Sequence, residues 1–170
     1  CRPIVGPFTT DPPFTTRTFQ QGVNGYSGCQ DSYIELNAPS TPHPASVVCL
    51  VDGSPLSQSL IRFDNIFGAG ATQIPAGSTI LSAKLLILTG PASTDASTDR
   101  MHLFPMLAPW SDSDTWGSLV GGVSANGTEA AATADFNARP TANAWISFDV
   151  TTTVTQWLAN PSANQGWAIL

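Results

Sequence analysis

An all-β fold, an antiparallel two-sheet sandwich of jelly-roll type with one short helix, is what this 170-residue sequence predicts. Three observations lead there. Short runs of β-branched and aromatic residues recur along the chain, Gly, Pro and Asp turn signals separate them, and one stretch alone has helical spacing.

Residues 1–14 carry Pro3, Pro7, Pro12 and Pro13, with apolar Ile4, Val5 and Phe8 between them. Proline removes backbone donors and excludes helix, so this segment reads as an extended arm that needs something to lie against. A single domain is expected over 15–170. Its first strand is expected at Thr15–Phe19, followed by a glycine-rich loop from Gly22 to Gly28 and a strand at Asp31–Leu36. Val47–Val51 is short and β-branched, Asp52-Gly53 reads as a turn, and Ser59–Phe63 resumes an extended run. Ile80–Thr89 is apolar on both faces after Lys84, which predicts a central strand that stops at Gly90-Pro91. Met101–Met106 is a further strand. Trp145–Val150 alternates cleanly, with Ile146, Phe148 and Val150 on the core side and Trp145, Ser147 and Asp149 opposite. Val154, Trp157 and Leu158 recur at spacings of three and four, so Thr151–Asn160 is the expected helix, with a threonine N-cap and Pro161 beyond its end.

Composition narrows the function. Only 11% of residues are charged and the formal net charge is −6, with no Lys/Arg cluster. A polyphosphate backbone needs a basic stripe to displace its counterions, so nucleic acid is excluded as a partner. No apolar run reaches the roughly 18 residues of a transmembrane helix. Cys1, Cys29 and Cys49 form no CxxC pair, and there are two histidines, His43 and His102, so a zinc cage is not expected. Pairing Cys29 with Cys49 would close a loop of about 20 residues, worth roughly 3 kcal/mol in an oxidising compartment. Cys1 is then left over, either as a lipid-bearing first residue or as an arbitrary start of the sequence.

Catalytic signatures are missing: there is no Gly-x-Ser-x-Gly elbow, and Glu35 and Glu129 are the only glutamates. The chain is expected not to be an enzyme and to need no cofactor. Asp31, Asp64 and Asp149 are weak candidates for a structural calcium, without the spacing of a dedicated loop. Trp110, Trp116, Trp157 and Trp167 are expected in the core, whereas the register of Trp145 turns it outward as a ligand or partner contact, with Tyr26 as a weaker companion. Asn126-Gly127-Thr128 has the pattern of an N-glycosylation acceptor.

Several segments resemble the DNRLRE-domain family of secreted bacterial proteins, which overlaps with alginate-binding carbohydrate-binding modules. They are Phe19-Gln20-Gln21-Gly22, Gln30–Ile34, Leu60–Asp64, Ile74–Leu85, Pro109-Trp110 with Thr115-Trp116, Phe148–Thr151 with Trp157, and Asn164–Trp167. The family's eponymous hexapeptide is absent. The resemblance implies a jelly-roll module without enzymatic activity, appended to enzymes or surface proteins. Members generally continue past the Gly-Trp segment, so the domain is expected to lack its last strand or to be recorded incompletely.

Two functions follow as expectations. The first is an extracellular or cell-surface structural subunit that associates head to tail with copies of itself into a fibre, lending its N-terminal arm to the open edge of the next subunit. The alternative is a secreted carbohydrate-binding module attached to a larger enzyme or surface protein, with polysaccharide as its partner.

Overall fold

The structure, a computed structural model, describes residues 14–44, 46–54 and 56–170. Strands form where apolar side chains alternate with polar ones or run together between turns: β1 (Cys29–Glu35), β2 (Asp52–Gly53), β3 (Leu56–Phe63), β4 (Lys84–Leu88), β5 (Met101–Pro105), β6 (Phe136–Ala138), β7 (Trp145–Asp149) and β8 (Trp167–Ile169). The single α-helix, α1 (Thr151–Ala159), follows β7 directly. All strand pairs are antiparallel. Six strands make one sheet in the order β1-β3-β8-β5-β6, with β2 also on β3, and β4 and β7 make a second sheet of two.

The large sheet is covered on both faces, and alternation along its strands decides which residue goes where. Ile61, Leu103, Trp167 and Ile169 face one way and pack against Leu85, Ile146 and Phe148 of the small sheet and Val154 and Trp157 of α1. Their neighbours Leu60, Ala168 and Phe104 face the other way, beside Ile34 and Met106. That second face is closed by residues 107–130, which lack strands and insert Trp110, Trp116, Val123 and Ala130. Backbone polar groups in such a layer need partners. Gln58 supplies two, donating to Val123 O at 3.0 Å and accepting from Val123 N–H at 2.7 Å, and Trp110 Nε1 donates to Gln165 O at 2.7 Å.

Phe148 is fully buried between the two sheets. Phe148→Ala is expected to lower the unfolding free energy by about 3–5 kcal/mol, the range for emptying an aromatic site in a close-packed core. A urea titration checks this.

Several local expectations are corrected. Thr15–Phe19 has no ladder partner and is not a strand, and neither is Val47–Val51. Asp52-Gly53, expected as a turn, is β2. The run Ile80–Thr89 yields only the five residues of β4, which pairs with β7 alone and is not central. A continuous apolar run does not say which of its two faces will be covered, and here one is not. No side chain of the N-cap residue, Val150, caps α1; instead the Asp149 carboxylate accepts the Thr151 N–H at 3.0 Å. β6 has no counterpart among the expected elements.

The final strand also differs from expectation. β8 lies between β3 and β5 and is hydrogen-bonded to both, so no open edge lies beside the Gly-Trp segment. Open edges lie elsewhere: among the described residues β1 and β6 end the large sheet, and β4 and β7 of the small sheet each pair on one side only.

Candidate interaction surface

The small sheet has one buried and one bare face. In its register Leu85 lies opposite Phe148 and Ile87 opposite Ile146, and these point into the core. The intervening pairs, Lys84 with Asp149, Leu86 with Ser147 and Leu88 with Trp145, point away from it. Leu86 is 56% exposed, Leu88 52% and Trp145 66%. Isolated surface leucines need no explanation, but an exposed indole directly across the ladder from an exposed leucine, with a second leucine two residues away, is a contiguous apolar patch. Its far end is polar, where Lys84 faces Asp149. The Asp149 carboxyl is held below its usual range, first by hydrogen bonds from Thr151 and then by Lys84.

A depression of about 520 Å³ borders this surface, lined by Leu81, Ser82, Asp135, Phe136 and residues 149–152. Its carboxylates are already engaged. Asp135 accepts from Thr153 Oγ1 at 2.7 Å and from Trp167 Nε1 at 2.9 Å, and Asp149 holds the first turn of α1.

The other expected site residues separate. Trp110, Trp116, Trp157 and Trp167 are buried, as expected, and Trp157 and Trp167 lie 4.5 Å apart between ring centroids. Tyr26 is not a free contact: its hydroxyl donates to Asp64 O at 2.8 Å and its ring meets Phe19 edge-on, tying the glycine-rich loop to the end of β3. Asp64 binds Arg62 at 2.8 Å and accepts from Gln30, while Arg62 also donates to Trp110 O. Asp31 lies instead beside Cys49, and Asp149 on the small sheet. Among the described residues no three His, Cys, Asp or Glu side chains converge on a point where a metal could sit. Asn126 is exposed in the loop layer. Ile4, Val5 and Phe8 lie outside the described residues, as does Cys1.

The expected Cys29–Cys49 disulfide is not formed; both thiols are free. Cys49 Sγ is turned toward Asp31 Oδ2, 4.0 Å away. Burial, then Asp31 and Cys49, push the Cys29 thiol up to about 11 from its ordinary 9.0, and burial and Asp31 raise Cys49 as well. The attacking species in disulfide exchange is the thiolate, so both groups are poor nucleophiles at neutral pH. The folded chain holds the Cys29 proton more tightly than the unfolded one. Its contribution to stability is therefore complete below pH 9 and is lost as pH rises toward 11. Urea midpoints measured from pH 8 to 11 should fall over that window, and replacing Cys29 with Ser should flatten the fall.

These features describe an all-β module whose exposed chemistry is an apolar sheet face, with a loop layer closing the opposite side. Residues 57–170 match the TGF-beta propeptide family, which is more than half of the chain, and the chain belongs to that family. Its members are propeptide domains, non-enzymatic parts of secreted proteins. No curated protein matches the chain. The resemblance to the DNRLRE-domain family is thereby corrected. The matched stretch contains most of the segments that carried it, and several of their residues, Leu60, Leu85, Trp110, Trp116, Phe148, Trp157 and Trp167 among them, are accounted for by core packing. Gly166-Trp167 is an example, a positive-φ glycine feeding a buried indole.

Proposed function

We propose that this β-sandwich of jelly-roll type is a non-catalytic extracellular module that associates with copies of itself through the outer face and free edge of the small sheet. The occupant is residues 1–13 of the next copy. The observation that carries this reading is the exposed Leu86, Leu88 and Trp145 cluster on a two-stranded sheet whose β4 edge has no partner among the described residues.

Magnitudes favour an occupant that uses the edge as well as the face. Full burial of a large apolar side chain is worth roughly 1.5–3 kcal/mol, so covering the exposed parts of these three yields about 3–5 kcal/mol. Association costs about 4–15 kcal/mol in lost freedom. The face alone does not hold a partner, and backbone hydrogen bonds along β4 must contribute, as in strand addition.

The arm has suitable spacing. Laid out as a strand, Pro3, Val5 and Pro7 would direct their backbone to one edge and Ile4, Gly6 and Phe8 to the other. Both prolines would then fall on the solvent edge, where a missing N–H costs nothing. The paired edge would keep every donor, and Ile4 and Phe8 would share one face.

Deleting residues 1–13 is the test. Light scattering of the full chain is expected to show mass rising with concentration, and the truncated chain is expected to stay monomeric. Association that survives the deletion would count against the arm as occupant. A second reading, a carbohydrate-binding module, is favoured by one observation: the exposed Trp145 indole shares its face with Ser147 and Asp149, a stacking surface beside polar groups. Retention of the truncated monomer by neutral or acidic polysaccharide gels, lost in Trp145→Ala, would support it.

A further inference from the structure

Asn126 begins the sequence's only Asn-X-Ser/Thr triplet without proline in the middle; Asn160-Pro161-Ser162 carries the blocking proline. The structure places Asn126 in the loop layer and makes it exposed. Residues 124–130 close a tight loop there. Gly127 N–H donates to Ala130 O at 2.8 Å, Ala130 N–H to Ser124 O at 3.3 Å, and Ser124 N–H to Glu129 Oε2 at 2.7 Å. Asn126 Oδ1 accepts the N–H groups of Thr128 at 2.8 Å and Glu129 at 2.9 Å. Two backbone donors require an acceptor, which fixes the oxygen of this amide inward. Its nitrogen, the atom that would carry a sugar, makes no hydrogen bond among the described residues and lies on an exposed residue.

The position suits a bulky adduct. The loop layer covers the face of the large sheet opposite the small sheet, so exposed Asn126 and the Leu86, Leu88 and Trp145 patch lie on opposite sides of that sheet. The neighbouring Gly127, at φ +79, has nothing within 4 Å of where its Cβ would stand.

We propose that Asn126 is an N-glycosylation site that receives an oligosaccharide from a lipid-pyrophosphate donor in a secretory compartment. Asn126 Nδ2 bonds to the anomeric carbon of the first sugar, the bond from that carbon to the pyrophosphate oxygen breaks, the lipid pyrophosphate departs, and the amide loses one proton. No electron transfer is involved. The Thr128 hydroxyl belongs to the acceptor triplet.

The full chain, secreted from a eukaryotic cell behind a signal peptide, tests this. A single mass decrease on treatment with peptide-N-glycosidase, with Asn126 converted to Asp, is expected. Asn126→Gln and Thr128→Ala should each abolish the shift, Thr128→Ser should retain it, and Asn160→Gln should leave it unchanged. Made without glycosylation, Thr128→Ala and Thr128→Ser should melt with the parent chain and Asn126→Gln, which gives up the bonds to Thr128 and Glu129 N–H, only slightly below it, which separates loss of the acceptor from loss of the fold. A secreted parent chain with no shift, or a shift that persists in Asn126→Gln, overturns the assignment.

Discussion

Replacing Gly166 with alanine is expected to lower the unfolding free energy by about 3 kcal/mol or more, the combined cost of a left-handed backbone and a buried clash. Gly166 leads into β8 at the centre of the large sheet with φ +74. A Cβ there would run into the carbonyl oxygen of Ile61 and come within 2.7 Å of Arg62 Cβ and 2.8 Å of its Cα. The backbone cannot easily retreat, because Gly166 O accepts the Met106 N–H at 2.8 Å and the strand that follows is bonded on both sides. Arg62 cannot easily yield either, since it holds Asp64, Gln30 and Trp110 O. Gly77, with φ +77 and nothing within 4 Å of its would-be Cβ, provides the control. Gly77→Ala carries only the backbone penalty, about 1 kcal/mol. Equal costs at the two positions, measured by urea denaturation, would show that close approach at Gly166 is unimportant.

The second large effect concerns association and leaves stability nearly untouched. Trp145→Ala combined with Leu88→Ser is expected to weaken self-association by at least a hundredfold while shifting the unfolding free energy by no more than about 0.5 kcal/mol, the range for exposed positions. The contrast with Phe148 is informative because Phe148 and Trp145 lie in the same five-residue strand on opposite faces. One holds the sheets together and the other is available to a partner. Sedimentation velocity across a hundredfold range of concentration would read the association, and thermal melts the fold. An unaltered sedimentation profile in the double variant would remove the small sheet from the account.

The alternation in Trp145–Val150 was legible because each residue type matched its face, and the same holds for Val154 and Trp157 on the helix. The core roles of Trp110 and Trp116 were also legible, although not the layer they build. Residues 107–130 carry no periodic pattern, and what joins them to the sheet is individual side chains such as Gln58 reaching backbone groups far along the chain. Ile80–Thr89 misled for a related reason: a run apolar on both sides fits a buried strand, and only the pairing with β7 alone reveals that Leu86 and Leu88 are bare. Of the candidate surface, Trp145 is therefore legible in the sequence, whereas Leu86 and Leu88 read as core. Loop length points to a Cys29–Cys49 pair, but it cannot register the Asp31 carboxylate that Cys49 faces. Family resemblance failed where its motifs reported sheet-packing requirements instead of descent.

Hydrogen exchange on the full chain, compared at low and high protein concentration, tests the central claim most directly. If the arm of one copy adds to β4 of the next, amides of Lys84–Leu88 that do not bond β7 should gain protection as concentration rises. The amides of Ile4, Gly6 and Phe8 should gain it with them, and Val5 should not. Concentration-independent exchange at β4, or protection gained only at sites away from the small sheet, would contradict it.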